Sequence, residues 1–275
     1  MSIGEKIGNG GLLLLGCGKM GGAMLRGWLS QGLAADQVTV LDPYPADWLV
    51  ALEADGLRLN KQPETAPDIA VIATKPQIMA DAIPGVAAFG NGPTMFISVA
   101  AGTLISTFEE MLGDKTPIIR VMPNTPAAIG AGISALVSND SVSGDQMALA
   151  EELLAAVGQT VLLDNEDQMH AVTALSGSGP AYVFAMAEAM TSAGEKLGLP
   201  SDMAKKLALG TIAGAGRLML ESGTEPATLR EQVTSPNGTT YAGLQVLQQS
   251  PEGLQDLIDA TLKAASDRSE ELAKG

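Results

Sequence analysis

The chain has little of what most enzymes use for acid–base, nucleophilic or metal chemistry. Its 275 residues include one cysteine, Cys17, and one histidine, His170. A single cysteine excludes an intrachain disulfide and fits a reducing compartment, so a cytoplasmic location is expected. The same scarcity excludes a His-rich zinc site, and no metal is expected; a hydrolytic triad would have to rely on His170 alone. Aromatic residues make up 3%, which leaves Ala, Leu, Val, Ile and 13 Met to fill the core. Cations are also few: 16 Lys and Arg against 31 Asp and Glu give a net charge of −15, which argues against nucleic acid or an anionic membrane as partner. Apolar runs are broken by charge or glycine before the roughly 18 residues that a membrane span needs. The early LLLL run enters a Gly-rich turn instead of a small-residue cleavage site, so a signal peptide is not expected.

What is present is concentrated at 12–21, LLLLGCGKMG. An apolar strand-like run leads into Gly16-x-Gly18-x-x-Gly21, and a helical pattern follows through Ala23, Met24, Leu25, Trp28 and Leu29. In such a unit Gly16 permits the tight turn, Gly18 lets backbone approach a pyrophosphate, and Gly21 lets helix and strand pack closely. The helix start then offers free N–H groups to the phosphates. Asp42 closes the next apolar run, VTVLD, near the roughly 20-residue offset expected of an acid on the adenosine ribose. Asp42 and the adjoining Pro43 are therefore expected at the cofactor.

Strand-like runs at 12–16, 38–42, 69–73, 94–99, 117–122, 132–137 and 160–163 alternate with helical ones at 19–31, 46–54, 77–88, 103–112 and 145–157. That alternation predicts an α/β fold with a parallel, doubly wound, Rossmann-type sheet over 1–164. Beyond Asp164 the pattern is helical, with breaks expected at 176–180, 198–202, 221–226 and 234–240, and predicts an all-helical domain over 165–275. Gly210, Gly214 and Gly216 each cost a helix about 1 kcal/mol against Ala, which points to close approach by another helix. Three loops then fall at strand ends on the edge that carries the Gly-rich turn: IATKPQ (72–77), VAAGT (99–103) and RVMPNTP (120–126). Together they predict a nicotinamide cleft.

GCGKMG (16–21), ATKP (73–76), SVAAG (98–102), VMPNTP (121–126), AVTALSGSGPAY (171–182) and VTSPNGTTYAGL (233–244) occur in this order. On these motifs the chain, from 12 to about 250, resembles the pyrroline-5-carboxylate reductases. The resemblance implies reduction of the cyclic imine 1-pyrroline-5-carboxylate to L-proline by NADPH or NADH. It also implies a helical C-terminal dimerisation domain that interlocks with a second subunit, as a homodimer or a larger ring of dimers. Leu15, Gly16, Cys17, Gly18, Lys19, Met20, Asn60, Ala73, Thr74, Lys75, Pro76, Val99, Ala100, Ala101 and Asn124 match family cofactor positions. Glu166, Ser235, Gly238, Thr239 and Thr240 match the substrate pocket, and Gln232 stands where some relatives place an Asn against the cofactor. The family habit is NADPH, whereas Asp42 leans to NADH because a carboxylate accepts ribose hydroxyls and repels a 2′-phosphate, although Asn60, Arg26 or Arg58 could still approach that phosphate from elsewhere.

The residues themselves suit such chemistry. TSPNGTT reads as a turn into a helix whose exposed N–H groups could receive a small carboxylate. A protonated imine is already electrophilic and leaves no alkoxide to stabilise, so the shortage of His is no obstacle. Thr240 could then orient the ring nitrogen, and Glu166 could favour its cationic form. Two other functions compete. A β-hydroxyacid dehydrogenase would need an acid–base group on its second domain, such as Lys196, Lys205 or Lys206. A non-catalytic dinucleotide-binding sensor would have no use for TSPNGTT.

Overall fold

The computed structural model describes residues 3–273. Contacts divide the chain into two compact units, 1–177 with 266–275, and 178–265. The break in contacts thus falls after Gly177, while the last strand ends at Leu162. Between them, 165–177 pack with the sheet, so the change of secondary structure near Asp164 and the division between compact units do not coincide.

The first unit is an eight-stranded sheet: β1 (Leu12–Leu15), β2 (Val38–Leu41), β3 (Arg58–Leu59), β4 (Ile69–Ile72), β5 (Met95–Ser98), β6 (Ile118–Met122), β7 (Gly132–Ser138) and β8 (Gly158–Leu162). Their order is β3-β2-β1-β4-β5-β6-β7-β8. The first six form the Rossmann order, with a topological switch between β1 and β4 where ligands bind beyond the strand ends. All neighbours are parallel except β6 and β7, which run antiparallel with Val121 opposite Leu136. The expected parallel, doubly wound sheet is thus present with one antiparallel pair near its end. The connection 123–131 holds only a short 3₁₀ turn, Thr125–Ile129, too short for the crossover that a parallel return needs.

The central strands read as continuous apolar runs because helices cover both faces. These are α1 (Ile3–Lys6), α2 (Lys19–Ser30), α3 (Asp47–Ala51), α4 (Met79–Ala82), α5 (Ile105–Leu112), α6 (Gly144–Ala155) and α7 (Gln168–Val172). One apolar cluster includes Leu12, Leu14, Val38, Val40, Met24, Trp28 and Leu153; the other includes Leu13, Leu15, Ile72, Phe96 and Phe108. The period-2 split of β1 between the two clusters is the pleat expressed in packing. The helix expected over 77–88 is broken into short turns, because Pro84 has no N–H to continue it. β3, two residues long, escaped the sequence pattern altogether.

The second unit contains α8 (Gly179–Lys196), α9 (Ser201–Ser222), α10 (Pro226–Gln232), α11 (Thr239–Leu247) and most of α12 (Leu254–Ala273). The break expected at SGSGP is instead a π-helical turn, Thr173–Gly177, after α7. Pro180 fits the first turn of α8, where its missing N–H has no partner to lose. A Cβ added at Gly210, Gly214 or Gly216 would meet nothing within 4 Å. Phe184, Met186, Leu207, Leu218 and Leu220 of the same helices are also exposed. No helix among the described residues is long and apolar enough to cross a membrane.

Trp28 ties α2 to α6, since its fully buried indole N–H donates to the Leu153 carbonyl at 2.8 Å. Trp28→Phe keeps a ring but leaves that buried carbonyl unpaired, at a cost of about 1–3 kcal/mol. The urea midpoint should fall with little change in the slope of the transition; an unchanged midpoint would show that the bond carries no net stability.

Candidate active site

The Gly-rich turn is held at Gly16 and at Gly21. The Gly16 N–H donates to the Leu41 carbonyl at 2.8 Å, which fixes the end of β1 to the end of β2. Gly16 itself has φ +87°, a left-handed conformation that costs glycine little. A Cβ at Gly21 would collide with the Gly16 carbonyl oxygen, so the first turn of α2 can sit on the strand end only because Gly21 has no side chain. A Cβ at Gly18 would meet nothing, so this turn is open on the side where a ligand would approach. Gly18 is also the N-cap of α2 and supplies no side-chain cap, leaving the first N–H groups of a 12-residue helix for an anion.

Asp42 organises the next strand end. Its Oδ2 accepts the Cys17 N–H at 2.6 Å and its Oδ1 accepts the Tyr44 N–H at 2.8 Å. Asn60, at φ +53°, holds the Asp42 backbone from the other side: Oδ1 accepts the Asp42 N–H and Nδ2 donates to the Asp42 carbonyl, each at 2.9 Å. Asn60 therefore positions Asp42 with both ends of its amide. Arg58 is committed elsewhere, its Nε on Thr39 Oγ1 and its NH1 on the Asp36 carbonyl. Cys17, Gly18, Lys19, Gly22, Arg26, Asp42, Tyr44, Ala46 and Trp48 line one cavity of about 420 Å³.

The remaining strand ends complete the edge. The Ala73 N–H donates to the Leu15 carbonyl at 2.8 Å, and the Val99 N–H donates to the Ile72 carbonyl at 3.0 Å. Leu15, Ala73 and Val99 are thus consecutive steps of one ledge across β1, β4 and β5. Thr74 Oγ1 is buried there without a hydrogen-bond partner among the described residues. Such an orphan, on a residue whose methyl group lies against Gly16, is what a bound polar ligand would satisfy. The residues present fit a dinucleotide. Lys75 and Pro76 begin a 3₁₀ turn after Thr74, and Ala100 and Ala101 precede Gly102 at φ +78°.

Asn124 and Glu166 have partners within the first unit that sequence did not reveal. Asn124 Oδ1 accepts the Ile133 N–H at 3.0 Å, and its Nδ2 reaches the Ser176 carbonyl at 3.3 Å, joining the MPNTP loop to the π-helical turn. Glu166 Oε1 accepts from Arg120 NH1 at 2.6 Å and from the Ile105 N–H at 2.9 Å. The Arg120 side chain is 4% exposed, so Glu166 neutralises a buried cation and caps the start of α5. Glu166 Oε2 has no partner among the described residues. A charge inside IIRVM was the available signal for Arg120, because an Arg in a central strand demands a carboxylate. His170 Nδ1 lies 3.0 Å from Ser269 Oγ, a contact that engages one nitrogen of the chain's one imidazole.

Ser235, Gly238, Thr239 and Thr240 lie in the second unit. Asn237 takes φ +57°, Gly238 caps α11, and a Cβ at Gly238 would collide with Ser235 Oγ. No side chain caps this helix, and Ser235, Thr239 and Thr240 are exposed without hydrogen-bonded side chains among the described residues. Gln232 is the last residue of α10, and Lys196, Lys205 and Lys206 are exposed. No group of three or more His, Cys, Asp or Glu is placed to hold a metal ion among the described residues.

Residues 166–272 match the family model described as pyrroline-5-carboxylate reductase dimerisation, and 12–102 match that of NADP oxidoreductase, coenzyme F420-dependent. The chain is 41% identical over 266 residues to a pyrroline-5-carboxylate reductase of Pseudomonas aeruginosa, covering 96% of this chain and 97% of that one. A solved pyrroline-5-carboxylate reductase from Coxiella burnetii superposes with a TM-score of 0.88 at 33% identity, covering 96% and 98% of the two chains. One from Plasmodium falciparum, solved with NADP bound, gives 0.81 at 27% identity with the same coverage.

Burial of Cys17 pushes its thiol up from the usual 9.0 to about 11; the Asp42 charge adds to the rise and Arg26 opposes it. A folded-state value above the unfolded one means that folding favours the neutral thiol. This stabilisation is complete below about pH 9 and is lost as pH rises through about 11. Alkylation of the native protein at pH 8 should be far slower than of the urea-unfolded chain. Equal rates would show that the turn leaves the thiol exposed.

Proposed function

The chain belongs to the pyrroline-5-carboxylate reductase family, and on that premise we propose that it reduces 1-pyrroline-5-carboxylate to L-proline with a nicotinamide dinucleotide. The observation that carries this is that each unit holds such a turn, an open, uncapped Gly18–α2 turn in the first and an uncapped Gly238–α11 turn in the second. Each suits an anion: the first a pyrophosphate, the second a small carboxylate. The reduced cofactor supplies the hydride. The protein's work is to hold C5 of the protonated imine against it and to exclude water.

Within that reaction Thr239 and Thr240 offer first-turn N–H groups and hydroxyls to the substrate carboxylate and ring nitrogen, with Ser235 and Gly238 shaping the turn. Glu166 holds Arg120 with one oxygen and presents the other to the cationic iminium. Leu15–Met20, Asp42, Pro43, Asn60, Ala73–Pro76, Val99–Ala101 and Asn124 form the cofactor edge. Asn60 and Asn124 serve it by fixing Asp42 and the MPNTP loop. NADH is the preferred cofactor, because Asp42 lines the cavity beside the phosphate turn, where the adenosine would sit, while Arg58 is tied to Thr39 and Asp36. The protein is a homodimer, and larger rings of dimers are compatible with it. The exposed apolar faces of α8 and α9 and the unfilled glycines of α9 support an interlocked partner. No metal takes part.

Nicotinamide absorbance followed with pyrroline-5-carboxylate, before and after exhaustive chelation, tests the activity. Undiminished oxidation is expected in both, and no oxidation of either cofactor by folded protein would refute it. For cofactor choice, kcat/KM should favour NADH, and a large advantage for NADPH would overturn the role given to Asp42. Thr240→Val removes one hydrogen bond to a charged group, about 1.5–3 kcal/mol, and should lower the rate by roughly one to two powers of ten. Complete inactivity of a folded Thr240→Val would make Thr240 an essential acid.

A further inference from the structure

The adenosine cavity holds a feature that dinucleotide binding in general does not require. The Arg26 guanidinium carbon lies 3.8 Å from the centroid of the Trp48 ring. Arg26 is exposed on α2, and no hydrogen bond or ion pair engages its guanidinium among the described residues. One face of this planar cation is therefore covered by the indole, while the group itself remains accessible. In a chain with nine aromatic residues, two line this one cavity: Trp48, half-buried, and Tyr44, 91% exposed. The same cavity includes Gly18 and Lys19 of the phosphate turn and Asp42 of the ribose end. A group beyond the ribose, counted outward from the pyrophosphate, is the base.

We propose that the Arg26–Trp48 stack is the seat of the adenine ring, with the guanidinium as the stacking plane and the indole holding it flat. This rests on the dinucleotide assignment above and adds to it what recognises the base. Arg26 suits the role because a delocalised, weakly hydrated plane stacks on aromatic faces, which an ammonium cannot do. The seat reads the base and not the ribose, so it grips adenine equally with or without a 2′-phosphate. Discrimination between the two cofactors is thereby left to Asp42.

The test uses ADP-ribose and 2′-phospho-ADP-ribose as probes with the full-length protein, read by tryptophan fluorescence and by calorimetry. Trp28 is fully buried on α2, so a response to either probe should come from Trp48 and vanish in Trp48→Phe. Arg26→Ala should weaken both probes by a similar factor of about ten, within the range found for loss of a base-stacking side chain. Arg26→Lys, which keeps the charge and loses the plane, should not restore binding. Weakening confined to the 2′-phosphorylated probe, or rescue by Lys, would make Arg26 a phosphate clamp and overturn the proposal. So would ADP-ribose binding that is silent at Trp48 and indifferent to Arg26→Ala, while leaving the dinucleotide assignment intact. Failure of the wild-type protein to bind NADH at all would overturn that assignment instead.

Discussion

The structure depends on one close approach, that of α2 to the end of β1. Gly21 lies against the Gly16 carbonyl, and Gly16 is itself tied to Leu41 at the end of β2. This contact fixes where the first N–H groups of α2 point. It also sets how near Asp42 comes to the Cys17 N–H, and where Trp48 meets Arg26 one turn and a half along the helix. A methyl group at Gly21 would push the helix off the strand and disturb all three. The ledge through Ala73 and Val99 continues the same construction, with each strand end hydrogen-bonded to the one before it.

Much of this was legible in the sequence because it rests on local chemistry. Gly16 takes the left-handed turn and Gly21 the close helix–strand approach that their spacing implied, and apolar runs marked seven of eight strands. Long-range partners were not legible. Nothing near Glu166 announces that Arg120 and the Ile105 N–H would share its oxygen, since these groups meet only when β6, α5 and the segment before α7 are packed together. Asn60 and Asn124 were matched as cofactor positions, yet their amides are spent on backbone groups that no periodicity reveals. The antiparallel β7 follows from a short connection, whereas the sequence pattern registers strands without their direction. The π-helical turn at 173–177 escaped because Ser and Gly suggested a break where the backbone keeps turning.

The scarcity of acid–base side chains acquires a chemical meaning once the imine is considered. A ketone reductase must protonate an alkoxide, and this chain's one histidine is hydrogen-bonded to Ser269. A cyclic iminium needs only hydride and a counter-charge. Helix starts, a carboxylate and hydroxyls can provide the rest by position alone. Glu166 Oε1 is shared between Arg120 and the Ile105 N–H, and its Oε2 has no partner among the described residues.

Isotope transfer tests this account most directly. The protein should be incubated with pyrroline-5-carboxylate and nicotinamide cofactor carrying deuterium at C4, and the product examined by mass spectrometry and NMR. The account predicts L-proline bearing one deuterium at C5, transferred from one face of the nicotinamide. Proline without deuterium from fully labelled cofactor, or no proline at all, would contradict it.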